Sequence, residues 1–406
     1  MARGRTVAAL VAAMLLSVWS ITAIGAEPLT DDPRQAAEYG AGWLAGLLDG
    51  DGSVGDAGAN LSTALALASS RTEGDAFDAV MGWLRANAES VISDGSADMP
   101  GRLGRLILVA VAAGDDPRAF GSGSLDLVGR LQATLGSHSG GLFGAQDPTY
   151  DGAFRQGLAL LGLRAAGVTP SDWPPMQDAI DWLIAQQCGA ESPPEFRGAW
   201  MGYRSDTGAP CLSDPVTFAA PDTNQTALAV QGLEANGVSS GTDSALDYFE
   251  LVQEDDGGFP FQQGYGSDPN STALVIQALV SAGQDPRSSR WSAAGPSPYE
   301  SLLSWQLGCD SPVGERGAFS SPFSDSSPDA FATVDAVPGA AGVAYPLPPV
   351  DLEPNGSTPD CGDGDDPGDR TPAGDDPPKV ATSTEDRAPA ASGPAVAVTG
   401  DPQFTG

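Results

Sequence analysis

Residues 245–283, ALDYFELVQEDDGGFPFQQGYGSDPNSTALVIQALVSAG, carry two helical patterns joined by a Gly-rich turn. In the first, Leu246, Phe249 and Val252 recur at helical spacing up to Gln253. Gly257 and Gly258, after Glu254-Asp255-Asp256, end it. The second begins beyond Asp268-Pro269, runs apolar through Leu274, Val275, Leu279 and Val280, and stops at Gly283, a common residue just past a helix C-terminus. The unit is a helical hairpin.

Working outward, the same hairpin recurs at a period of about 40 to 50 residues, the range of repeat architectures. Further copies occupy residues 36–70, 78–114, 125–167, 176–237 and 299–342. Trp43, Trp83, Trp182 and Trp305 return at one position of the first helices and read as core between repeats. Gln132 with Gly140-Gly141-Leu142-Phe143, and Gly317-Ala318-Phe319, repeat the turn. Thr226-Ala227-Leu228 nearly repeats Thr272-Ala273-Leu274. Pro338 is predicted to kink or end the last second helix early.

Helices this short cannot bury a face alone, so neighbours must stack. Six hairpins suit a closed ring. Ala64, Ala66, Ala68, Gly157, Ala159 and Gly162 suit second helices packed closely inside it. The expected fold is all-α, an α/α toroid of about six hairpins over residues 33–346, with a disordered acidic Pro/Gly/Asp-rich tail over residues 347–406.

The chain has 406 residues, 41% of them hydrophobic, and a formal net charge of -34 from 53 acidic against 19 basic residues. Nucleic acid and anionic membrane surfaces both need a basic patch, so neither is an expected partner. Residues 1–26 read as an export signal, with Arg3 and Arg5 before an apolar run and small residues at Ala23, Gly25 and Ala26. An uncleaved anchor is the competing reading, and no later run is long enough to span a bilayer. Export permits disulfides. Cys188 and Cys211 bracket one inter-helix loop and are expected to pair, which leaves Cys309 for Cys361. Asp49-Gly50-Asp51-Gly52-Ser53 departs from the calcium-loop pattern and reads as a turn.

The stretch Gln253–Phe259 is similar to the Gln-and-Trp motif of squalene-hopene cyclases, with Phe in place of Trp, and residues 36–344 resemble the terpenoid cyclase and protein prenyltransferase superfamily. Class II cyclases carry an Asp-x-Asp-Asp-Thr-Ala motif at the start of a second helix, whose central acid donates a proton. The matching residues here are Asp222-Thr223-Asn224-Gln225-Thr226-Ala227 and Asp268-Pro269-Asn270-Ser271-Thr272-Ala273, with an amide at the acid position. Prenyltransferases hold zinc with Asp, Cys and His on inner helices, whereas no cysteine falls in a second helix and His138 lies in a turn. The second helices and the ending Ala332-Thr333-Val334-Asp335-Ala336-Val337-Pro338 look most like the helical domain of intrinsic factor and transcobalamin type carriers.

The resemblance therefore implies a secreted, non-catalytic binding protein, with a small hydrophobic or corrinoid-like ligand or an extracellular protein as partner. No metal is expected and no cofactor is identified. The expected ligand groups are Asp222, Asn224, Gln225, Asp268, Asn270 and Ser271 at the ring mouth. The alternative is an enzyme, either a divergent isoprenoid cyclase or a polysaccharide-degrading toroid, which predicts a cavity holding a buried carboxyl of raised pKa.

Overall fold

The computed structural model describes residues 29–136, 140–146, 152–213, 220–292, 295–324 and 327–362. The expected signal segment 1–26, His138 and the tail beyond residue 362 lie outside them. Among the described residues thirteen α-helices follow one another: α1 Pro33–Ala45, α2 Ala57–Ser70, α3 Gly74–Ile92, α4 Pro100–Ala112, α5 Leu127–Ala133, α6 Gly152–Ala165, α7 Pro175–Ala185, α8 Thr223–Ala235, α9 Thr242–Val252, α10 Pro269–Ser281, α11 Ser289–Ser292, α12 Pro298–Leu303 and α13 Ala330–Ala341. Among the described residues the only β pairing is isolated bridges.

Helices α2, α4, α6, α8, α10 and α13 each pack on the next, and α13 packs back on α2. The ring closes, as the sequence predicts. These inner helices are buried nearly all round, from Asn60 to Ser70 in α2 and from Thr223 to Leu233 in α8. An outer helix such as α9 buries one stripe, Ala245, Leu246, Phe249 and Val252. The two burial patterns sort the helices into an inner and an outer layer.

Glycines let the inner backbones touch. A methyl on Gly162 would lie 2.8 Å from the Gly104 Cα, and one on Gly232 would lie 2.9 Å from the Gly157 Cα. That closeness ties α4, α6 and α8 into a continuous wall.

The Gln and the Gly of the repeated turn cement neighbouring units. The Gln253 side-chain amide donates to the carbonyls of Gly257 (2.9 Å) and, in the next unit, Trp291 (2.8 Å). Gln187 does the same to Gly198 (3.0 Å) and Gly241 (2.8 Å). Gln306 donates to Gly317 (2.9 Å) and Ala36 (2.8 Å), which joins the last unit to the first. The backbone N–H groups of Trp200, Phe259 and Phe319 each donate to the hydroxyl of Thr226, Thr272 or Thr333 at 2.9 Å, so the turn is also fixed to its own inner helix.

The third unit departs from expectation. There Gln156 of the inner helix α6 reaches out to Gly141 (2.8 Å) and Ala179 (2.9 Å), and among the described residues no such bridge runs from Gln132.

Two further expectations need correction. Helix α13 runs through Pro338 to Ala341, with the proline buried at the ring axis. Residues 347–362 are not a free tail. Leu347 is buried in the core, Val350 donates to the Ala112 carbonyl (2.9 Å) and Glu353 donates to that of Arg71 (2.9 Å). The segment thus satisfies carbonyls at the C-terminal ends of α4 and α2, groups that a helix cannot satisfy itself. Cys361 then pairs with Cys309, and Cys188 pairs with Cys211, both as expected.

Candidate functional site

The inner helices are parallel, and their N-terminal ends carry the six residues expected to form a ligand site. Asp222 accepts from the Gln225 N–H at 2.7 Å, and Asp268 accepts from Ser271 (2.8 Å) and Phe261 (3.1 Å). Both are helix N-caps. The Gln225 side-chain oxygen accepts from the Phe154 N–H at 2.6 Å, tying α8 to α6. The Ser271 hydroxyl is buried without a partner, and Asn224 is buried beside Thr223. Asn270 turns its amide toward the neighbouring inner helix, donating to the Phe331 carbonyl and the Asp335 carboxyl, each at 2.9 Å.

Burial pushes the Asp222 carboxyl up to about 8 and that of Asp268 up to about 6, against the backbone amides that favour the charged form. A carboxyl raised on folding holds its proton where the unfolded chain has released it, so stability falls as pH rises from about 4 to the folded value. The melting temperature is expected to drop by roughly 5 °C between pH 5 and pH 8.5. Asp222→Asn keeps the cap, because Asn caps as well as Asp, and should flatten that slope. A parent profile that is flat or rises over this window would rule out the protonated cap.

One turn further in, all six inner helices line a well on the ring axis with a volume of about 30 Å³. Its apolar wall is Leu65, Phe154, Leu158, Leu228, Leu274 and Val334. Its polar groups are Ser62, Arg105, Gln231, Gln277, Asp335 and Tyr345. Tyr345 follows α13, and the Gln277 amide donates to the Val343 carbonyl at 3.1 Å, so this segment covers the C-terminal end. Burial raises the Asp335 carboxyl, while the Asn270 bond and the Arg105 charge act the other way. Burial likewise lowers Arg105 and lifts Tyr345 to about 12.

Asp335, Arg105, Gln231 and Tyr345 were not among the expected site residues. For the first three the one sequence signal is polarity on an otherwise apolar inner helix, as in Thr333-Val334-Asp335-Ala336-Val337. A well of this size cannot enclose a corrinoid, since ligand pockets run to about 300–1,000 Å³. Among the described residues no cluster of His, Cys, Asp and Glu could hold a metal ion. No helix there is long and apolar enough to cross a membrane.

No protein-family model and no curated protein matches this chain. Solved structures similar to it include a variant of the type II terpene cyclase MstE from Scytonema bound to merosterolic acid A, its product. That likeness has 12% identity, 77% of this chain and 96% of that one covered, and a TM-score of 0.49. An unsaturated glucuronyl hydrolase specific for heparin has 11% identity, 77% and 96% coverage and a TM-score of 0.47. An inactive variant of the α-1,6-mannanase GH76A of Salegentibacter sp. HEL1_6, bound to α-1,6-mannotriose, has 11% identity, 77% and 98% coverage and a TM-score of 0.48.

Proposed function

We propose that this chain is an extracytoplasmic enzyme in which Asp335 transfers a proton to a largely apolar molecule seated on the ring axis. The observation that carries this reading is the Asp335 carboxyl itself, raised by burial, held by Asn270 and facing a lined well. A buried ionisable group of shifted pKa in a cavity marks a working site more often than a structural one. The two disulfides agree with an oxidising compartment.

The entrance in this reading is the N-terminal rim. Phe331, 46% exposed, lies one turn above Asp335, and Tyr265 (67%) and Phe323 (72%) stand on loops at the same end. The body of the substrate would lie against these aromatics while its end enters the well. Of the two enzyme classes weighed above, the isoprenoid type fits better. Glycoside hydrolysis needs two working carboxyls, and Asp222 and Asp268 are engaged as caps.

The test incubates the purified exported protein with geraniol, farnesol, geranylgeraniol and the corresponding acids, with products read by gas chromatography and mass spectrometry. Asp335→Asn keeps an acceptor for Asn270 and is expected to lower turnover by about 10²–10⁴-fold. Turnover of the parent should fall as rising pH ionises Asp335. Turnover that survives in the variant, or a parent that transforms no member of the panel, would refute the assignment.

The tightness of the well favours a second reading, a carrier that holds such a molecule without transforming it. Native mass spectrometry of the exported protein separates the two, because a carrier retains its ligand unchanged.

A further inference from the structure

Tyr345 and Gln277 pair with each other in the axial well, but other polar groups there lack a hydrogen-bond partner among the described residues. Gln231 is fully buried, and neither its amide nitrogen nor its amide oxygen has a hydrogen-bond partner. The Arg105 guanidinium stands 5.8 Å from the centre of the Phe154 ring, and no acceptor among the described residues takes its donors. For the buried Gln231 amide this is costly, at about 1–3 kcal/mol for each unsatisfied group, while the part-buried Arg105 donors face the space of the well. A ligand that accepts from both relieves that cost.

Size and charge narrow the choice. A water needs about 10–15 Å³ of such space, so a well of about 30 Å³ admits two or three non-hydrogen atoms. A carboxylate has three and matches the planar fork of a guanidinium. A phosphate has five and is too large, and a cation would face Arg105. The apolar wall from Leu158, Leu228 and Leu274 suits the alkyl chain that would follow.

We infer that the foot of the well receives a carboxylate, with Arg105 and Gln231 as its donors, so that the molecule taken up is a largely apolar acid. This rests on the axial well being the working site. Binding then acts on Asp335. In the empty well Arg105 is the opposite charge that favours ionised Asp335. Once a carboxylate occupies Arg105, Asp335 faces a new like charge and holds its proton. The other groups that act on it electrostatically are Tyr345, neutral at working pH, and the like-charged caps Asp268 and Asp329, which push in the same direction. The acid form needed for proton donation is thus produced by the substrate's own charge.

The experiment is calorimetric titration of the full exported chain with straight-chain carboxylates from acetate to decanoate, in two buffers of different ionisation enthalpy. Alcohols and alkyl phosphates of the same lengths serve as comparators. Carboxylates are expected to bind at least about tenfold more tightly than the alcohols, more tightly as the chain lengthens, with a net uptake of protons on binding.

Arg105→Gln should abolish binding. Gln231→Leu removes an unpaired amide, keeps the fold, and should weaken binding about tenfold. Asp335→Asn should bind without proton uptake. Carboxylates that bind no better than alcohols, or a Gln231→Leu variant that binds like the parent, overturn the inference. Product formed from neutral isoprenoids in an Asp335-dependent way, without carboxylate binding, removes this inference and leaves the enzymatic reading standing. Carboxylate binding without such product does the reverse.

Discussion

Gly257→Ala is expected to lose about 2–6 kcal/mol of stability, the sum of two separate costs. Gly257 sits at φ 83°, where a residue with a Cβ is strained by about 1–3 kcal/mol. Its added methyl would also overlap the Pro296 carbonyl oxygen, at the start of the next outer helix. Relieving that overlap pushes the turn away from its neighbour and breaks the register of the Gln253 bridge. Forced overpacking of this kind costs about 1–3 kcal/mol more. Urea unfolding reads the loss directly. Gly82→Ala in α3 is the control, because nothing lies within 4 Å of its Cβ position. That change should be neutral or stabilising by about 0.5–1 kcal/mol. Equal midpoints for the two variants would mean that the turn does not hold the units together.

Gly157→Ala is expected to cost about 3 kcal/mol and to impair the site as well. Gly157 rests on the carbonyl of Leu228, and the other wall contact of α6 is the Gly104–Gly162 pair. A methyl at Gly157 overlaps backbone, which no rotamer change can relieve, so α6 must move away from α8. In a closed ring that movement is resisted by α4. Phe154 and Leu158 travel with α6 and line the well, so ligand binding should fall together with stability. Truncating a side chain cannot cure a backbone overlap, so adding Leu228→Ala should not rescue Gly157→Ala. Rescue would show that side-chain packing, not backbone approach, sets the helix spacing.

Much of the ring was legible along the chain because its determinants are local and periodic. The Gly257-Gly258 turn and the apolar spacing of Leu246, Phe249 and Val252 announce a hairpin within 39 residues of sequence. The matching Thr226-Ala227 and Thr272-Ala273 starts mark which helix of each pair goes inside. Local periodicity misjudged Pro338, because the ring holds the helix together on either side of the lost hydrogen bond. It also misjudged residues 347–362. They have little apolar content of their own, but their backbone groups satisfy the ends of α2 and α4.

By itself, then, the sequence determined a closed double ring of helices and its two disulfides, whereas the capping role of Asp222 and Asp268, read there as ligand groups, came from the structure. The ring and the disulfides follow from spacing within one repeat or between neighbours. Only the tertiary structure decided what meets on the axis. Arg105, Gln231 and Asp335 come from α4, α8 and α13, three helices far apart in the chain. Arg105 and Asp335 each stand six residues after their helix N-cap, where α8 and α10 carry Leu228 and Leu274, but the repeat does not say that these side chains meet. Their burial, and with it the raised Asp335 carboxyl and the unpaired Gln231 amide, exists only once the ring has closed.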